Sequence, residues 1–151
     1  MHIHWFPGHM TKSLRMMDDN VKLMDMLIYV LDARAPASCI NPSFDKYTEK
    51  LPVVYVLNKS DLADSAKLVE WKKKLTTEKS VVITLNSTMS GSGKAIFPLA
   101  KQLCAEKLEK YKQKGVTPLP CGFARLWDNT LLFYRIAVLR RGDTCKFFEF
   151  F

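Results

Sequence analysis

No stretch of this 151-residue chain is apolar for long enough to cross a membrane as a helix. Runs such as Met26–Leu31 and Leu51–Leu57 fall far short of the ~18 residues a span requires. The amino terminus, Met-His-Ile-His-Trp-Phe-Pro, lacks the basic stretch and apolar segment of a secretory leader, so no signal peptide and a cytoplasmic location are expected. Cysteine is sparse: Cys39, Cys104, Cys121 and Cys145 form no C-x-x-C pair and no staple pattern, which fits reduced thiols without a disulfide partner. Glycine and proline, six and seven residues, are too few for a collagen-like or low-complexity chain, and no internal repeat stands out. Acidic residues are also short, 15 against 23 lysines and arginines, a net charge of +8. That surplus favours a polyanionic partner such as nucleic acid, although basic proteins without such a partner are common.

What is present is a folding composition. With 48% apolar and 25% charged residues the chain can bury a core, and its length suits one domain. Met10, Leu14, Met17, Val21 and Met24 recur at steps of three and four, so an amphipathic helix is predicted from His9 onward. Three short apolar runs follow, Met26–Leu31, Val53–Leu57 and Val81–Leu85, each handing over to a polar turn. Such runs read as strands buried on both faces. Helices are predicted between them, over Pro42–Glu49, Asp64–Leu75 and Lys94–Lys112. Strands alternating with helices at this spacing predict an α/β fold with a parallel sheet, whose ligands sit at the carboxyl ends of the strands. Beyond Gly115-Val-Thr-Pro118 the texture changes: Leu131–Leu139 is apolar apart from Arg135, and the chain ends Phe-Phe-Glu-Phe-Phe.

The polar turns carry the chemistry. Asn58-Lys59-Ser60-Asp61 follows the second strand. A carboxylate at Asp61 can accept the N1–H and exocyclic amine of guanine together, a donor pair that adenine lacks. Asn58 can bridge N7 or the neighbouring loop, and the Lys59 stem can lie over the base. The competing reading is a helix-capping turn with Asp61 or Asp64 as the cap. Asn86-Ser87-Thr88, after the third strand, suits a second loop that offers backbone N–H groups to O6, with flexible Gly91-Ser92-Gly93 beyond it. It also suits an ordinary strand-to-helix turn. Both turns in this order favour guanine recognition.

Taken together, Trp5-Phe-Pro-Gly-His-Met10, Asp32-Ala-Arg-Ala-Pro36 with Asn41-Pro42, Asn58-Lys-Ser-Asp61, and Asn86-Ser87 through Gly91-Ser-Gly93 resemble the circularly permuted ribosome-assembly GTPases of the ribosome biogenesis GTPase A family. The resemblance covers residues 1–118. It implies the amino-terminal part of a three-layer Ras-like P-loop fold in circular permutation, with 119–151 as an atypical tail. It implies GTP or GDP as ligand, Mg²⁺ as the family's metal, and the large ribosomal subunit and its ribosomal RNA as partners. It also makes His9 the candidate catalytic residue, because the family lacks the water-orienting glutamine of Ras-like enzymes and a neutral imidazole can orient or accept from water. Asp32 and Arg34 are expected to brace the first loop, with Arg34 as an alternative RNA contact. His2 and His4 are expected to face solvent.

Three expected parts are missing from these 151 residues. No G-x-x-x-x-G-K-[ST] loop, threonine switch or D-x-x-G segment occurs. Gly91-Ser-Gly-Lys94 does not substitute, since Thr88 and Ala95 stand where a glycine and a hydroxyl are required. Without phosphate and magnesium contacts only the base is held, so weak binding and no hydrolysis by this chain alone are expected. A frame-disrupted copy would account for the tail. Removing the phosphate-loop strand is expected to bare the edge of Met26–Leu31, with Leu131–Leu139 as a candidate substitute. The alternative function is a non-catalytic basic module contacting ribosomal RNA through Lys12, Arg15 and Lys22, joined by Lys101, Lys107, Lys110, Lys112 and Lys114, or an inactive gene fragment. Those lysines equally suit a solvated helix face.

Overall fold

The computed structural model describes residues 14, 15, 17–19, 21–89, 92–113 and 121–125. Strands β1 (Met26–Asp32), β2 (Val53–Asn58) and β3 (Ser80–Thr84) form at the three apolar runs. A fourth, β4 (Cys121–Arg125), completes one sheet in the order β3-β2-β1-β4. Every pairing is parallel: Leu27 lies opposite Val53 and Asp32 opposite Asn58, while Met26 to Val30 pair with Cys121 to Arg125. The chain thus steps outward from β1 to β3 and then returns to the other side of β1. The strand order reverses between β1 and β4, and α/β sheets bind ligands at the carboxyl end of such a reversal.

Alternation along β1 and β2 explains why both strands are apolar throughout. Leu27, Tyr29, Leu31, Val53 and Leu57 face one core with Met17, Phe44 and Tyr47. Met26, Ile28, Val54 and Val56 face the other, with Ile96, Ala100 and Cys104. Neither face of these central strands is left to water, as parallel sheets require. The predicted apolar face at the amino terminus packs where it is described, with Met17 and Met24 buried and Leu14 and Val21 against the first core, but the helix does not run on to Met24: Val21–Leu23 is a 3-10 turn. Met10 lies outside the described residues. Asp18 ties this segment down, its Oδ1 accepting from Tyr47 Oη at 2.8 Å and from Lys46 Nζ at 2.6 Å.

The helices depart from expectation in three places. Helix α1 (Pro36–Cys39) is a single turn the sequence reading left unassigned. Pro42–Glu49 is composite: a 3-10 turn at Pro42–Phe44, started by Asn41 Oδ1 accepting from Ser43 N–H, runs into α2 (Asp45–Thr48). Helix α3 (Ser65–Leu75) matches its prediction, and its cap is Asp64, whose Oδ1 accepts from the N–H groups of Ala66 and Lys67. The long helix expected over Lys94–Lys112 is instead a 3-10 turn at Ser92–Ala95, α4 (Ile96–Leu103) and α5 (Ala105–Gln113), broken at Cys104. The break sets Cys104 in the core and brings Lys107 Nζ to Asp25, 3.3 Å from Oδ1 and 3.1 Å from the carbonyl. Lys107 is therefore tied to the residue that precedes β1, with 42% of its side chain still exposed.

The place beside β1 offered to Leu131–Leu139 is occupied by Cys121–Arg125 instead. With β2 on one side and β4 on the other, β1 has no edge left to fill; Leu131–Leu139 itself lies outside the described residues. Among the described residues Cys39 and Cys104 are free thiols, and burial pushes the Cys104 thiol pKa up. No helix among them is long and apolar enough to cross a membrane.

Candidate functional site

The carboxyl ends of β1, β2 and β3 lie side by side because the sheet is parallel and in register. Each strand ends in one of the polar turns singled out by sequence, and hydrogen bonds join the three turns. Asn58, last residue of β2 and only 7% exposed, is the centre. Its carbonyl accepts the Ala33 N–H at 2.8 Å, from the turn after β1. Its side-chain Oδ1 accepts the Ser87 N–H at 3.1 Å, from the turn after β3. A buried amide with both jobs is satisfied by its neighbours and fixes them in return.

Ser60 makes the second join. Its backbone N–H and its hydroxyl both donate to the Leu85 carbonyl, at 3.1 and 3.0 Å. Between these two anchors Lys59 takes φ 59°, ψ 37°, the one left-handed non-glycine residue among those described. That conformation costs about 1–2 kcal/mol in a residue with a Cβ, and the bonds of Asn58 and Ser60 on either side hold it. The chain then makes a 3-10 turn, Ser60–Leu62, which leaves Asp61 exposed. In the third turn Asn86 Oδ1 accepts from both the N–H and the hydroxyl of Thr88, at 3.0 and 2.6 Å.

The turn after β1 is organised by Asp32, whose side chain is 10% exposed. Its Oδ1 accepts from the Arg34 backbone N–H and from Arg34 Nε, both at 2.9 Å, and its Oδ2 from Arg34 Nη2 at 2.7 Å. The expected bracing role of Asp32 and Arg34 is thus present as a two-pronged ion pair. Sequence reasoning missed a third participant: Lys59 Nζ lies 3.3 Å from Asp32 Oδ2. The register of β1 against β2, which sets Asp32 opposite Asn58, brings them together, and the sequence does not display it. Beyond Arg34 an open cleft of about 270 Å³ is lined by Ala33, Arg34, Pro36, Asp64, Lys67 and Trp71.

The structure therefore gathers Asn58, Lys59, Ser60, Asp61, Asn86, Ser87 and Thr88 at one end of the sheet, while His9 lies outside the described residues. It also divides the two candidate helix caps. Asp64 caps α3, and Asp61 stays exposed in the turn before it. No cluster of three or more potential metal-ligating side chains occurs among the described residues.

Comparison with known proteins gives the lineage of this arrangement. No family model matches the chain. Ribosome biogenesis GTPase A of Bacillus licheniformis is 37% identical over 118 residues, 78% of this chain and 42% of that protein. The protein of the same name from Bacillus cereus is 36% identical over 118 residues, again 78% of this chain and 40% of its own length. Mitochondrial ribosome-associated GTPase 1 of Ictalurus punctatus is 38% identical over 103 residues, 66% of this chain and 32% of that protein. The chain thus spans about two fifths or less of the length of these curated relatives. Over the matched stretch it belongs, as a segment, to the family of ribosome biogenesis GTPase A and mitochondrial ribosome-associated GTPase 1.

Proposed function

We propose that this chain carries the guanine-reading half of a circularly permuted Ras-like GTPase domain. On this reading Asp61 accepts the two amine-side donors of the base, and the Lys59 stem covers one face. Asn58 holds the reading turn to Asn86-Ser87-Thr88; the Ser87 N–H is engaged by Asn58, and O6 is served when the Thr88 N–H exchanges Asn86 Oδ1 for the base. The observation that carries the reading is the Asn58–Ser87 bond at 3.1 Å, with the Ser60–Leu85 bonds beside it. Two turns that must address one ligand are latched to each other at the strand ends. The assignment of Asp64 as helix cap supports it as well, because Asp61 is then not needed for capping.

GTP or GDP is the proposed ligand, and the relatives' names, ribosome biogenesis GTPase and mitochondrial ribosome-associated GTPase, support a place in ribosome assembly; the large subunit and its RNA are the proposed partners and the cytoplasm the proposed location. His9 remains the proposed water-orienting residue of the complete enzyme. The phosphates would lie toward the reversal of strand order at β1 and β4. The sequence running on from Arg125, Leu-Trp-Asp-Asn-Thr130, offers neither a glycine-rich phosphate loop nor its lysine. Magnesium and the γ-phosphate therefore have no holder within these 151 residues, and base contacts alone remain. Each charge-assisted bond contributes about 1.5–3 kcal/mol, while micromolar affinity needs about 8 kcal/mol. The chain alone is expected to bind guanine nucleotides weakly and to hydrolyse none.

Calorimetric titration with GTP at millimolar Mg²⁺, with phosphate release assayed alongside, tests this reading; micromolar affinity or turnover would contradict it. A nuclear magnetic resonance titration supplies the base-specific arm. GDP is expected to shift the amides of residues 58–61 and 86–88 and ADP to leave them unmoved. With Asp61→Asn the preference is expected to turn toward xanthosine diphosphate, whose C2 carbonyl accepts from the new amide, with at least about a tenfold change in the ratio of the two affinities. An unchanged ratio would remove Asp61 from the base site.

A further inference from the structure

The Asp32 carboxylate does more than brace its own turn. It is nearly buried, and its Oδ2 receives both Arg34 Nη2 at 2.7 Å and Lys59 Nζ at 3.3 Å. Lys59 follows β2, whereas Asp32 ends β1. For Nζ to reach Oδ2, the four-carbon stem must stretch across the ends of the two strands. A half-exposed lysine otherwise samples many rotamers, and fixing one costs side-chain entropy. Here the contact with Asp32 fixes it.

We propose that Asp32 is a positioning residue for base recognition: it holds Lys59 Nζ so that the methylene stem stands as a preformed wall for one face of the purine. Asp32 itself touches no ligand. This inference rests on the guanine reading above and adds to it the residue that pre-orders one of its contacts. Preorganisation of this kind improves affinity by lowering the cost of binding rather than by adding a contact.

The test uses the full chain in four forms: unaltered, Asp32→Asn, Lys59→Met, and both changes together. Asp32→Asn keeps the side-chain shape and a carbonyl for the Arg34 backbone N–H, so the turn is retained. GDP affinity is followed by resonance titration. Asp32→Asn is expected to weaken binding about fivefold when Lys59 is present, and less than about twofold in the Lys59→Met background. A merely structural role would weaken both equally, and that result overturns the proposal, as does no effect when Lys59 is present. A second measurement needs no nucleotide: the rate at which an amine-reactive acyl reagent labels Lys59, read by mass spectrometry against Lys110. Asp32→Asn is expected to accelerate labelling of Lys59 several-fold while Lys110 keeps its rate, and an unchanged Lys59 rate overturns the proposal by itself. If Lys59 labelling responds but the unaltered chain binds no GDP, the guanine reading falls, and with it the role given to the wall.

Discussion

At the scale of single residues, Asn58 decides how much of the site exists before a ligand arrives. Replacing it with alanine leaves the Ser87 N–H without its 3.1 Å partner in a half-covered place. A loss of about 1–2 kcal/mol in stability is expected, with hydrogen exchange at Ser87 rising far more than at Val54 in the sheet. Equal rises at both amides would mean the two turns are not coupled through Asn58. Asp18 shows the same economy outside the site. Bonds from Lys46 and then Tyr47 hold its carboxyl below the usual carboxylate range. A depressed carboxyl stabilises the fold above the unfolded value and loses that contribution as pH falls through the folded one. The amino-terminal segment is accordingly expected to loosen below about pH 4, earlier than the sheet. The Tyr47 hydroxyl is shifted the opposite way, upward, chiefly by burial. Its contribution is complete below the unfolded value near 10 and fades as pH rises past it. The check is a pH titration that follows Leu14 and Met17 against Leu27. Simultaneous loss of all three at the acid end would contradict the local role of Asp18.

At the scale of elements, β1, β2 and β3 were legible; β4, which falls in the stretch read as an atypical tail, was not, and the helix ends were less so. Strands β1 and β2 are unbroken apolar runs because both their faces are covered, a pattern that needs no tertiary knowledge to see; β3, read from sequence as buried on both faces, is only half-buried from Val81 to Thr84 because no strand pairs with its outer side. Helix α3 was legible for a different reason: Asp64 precedes Ser65 and can take two orphan N–H groups. Asp64→Ala should cost about 1 kcal/mol, lowering the midpoint of thermal unfolding by a few degrees. It should leave the response to GDP unaltered, since the cap lies outside the reading turns. The break at Cys104 was not legible. Helical periodicity continues through Leu103, Lys107 and Leu108, and nothing local stops the helix. The contact of Cys104 and Lys107 with Asp25, far away in sequence, sets the break. The 3-10 turn at Pro42–Phe44 was hidden likewise, since its signal is one Asn41 side chain rather than a period.

At the scale of the whole molecule, β4 is the element that makes β1 an inner strand. It pairs with five residues of β1, from Met26 to Val30, and so covers the inner strand of the sheet. A chain ending at Pro118 would present that edge as unpaired backbone on the most apolar strand. Such a truncation is expected to aggregate at concentrations where the full chain stays dispersed, and light scattering of the two at equal concentration decides it. Equal scattering would show that β4 contributes little to covering β1.

The sequence by itself determined the strand runs, the α/β alternation and the lineage, because burial on both faces and the composition of turns are written locally. It also marked Asn58, Asp61 and Ser87 as residues to watch. It could not say that Asn58 latches the flanking turns together, that Asp64 rather than Asp61 caps the helix, or that Lys59 reaches Asp32. Those facts depend on which strands lie adjacent and in what register, and register is set by packing across the entire sheet. Only the tertiary structure brings a residue of β1 and one following β2 within 3.3 Å.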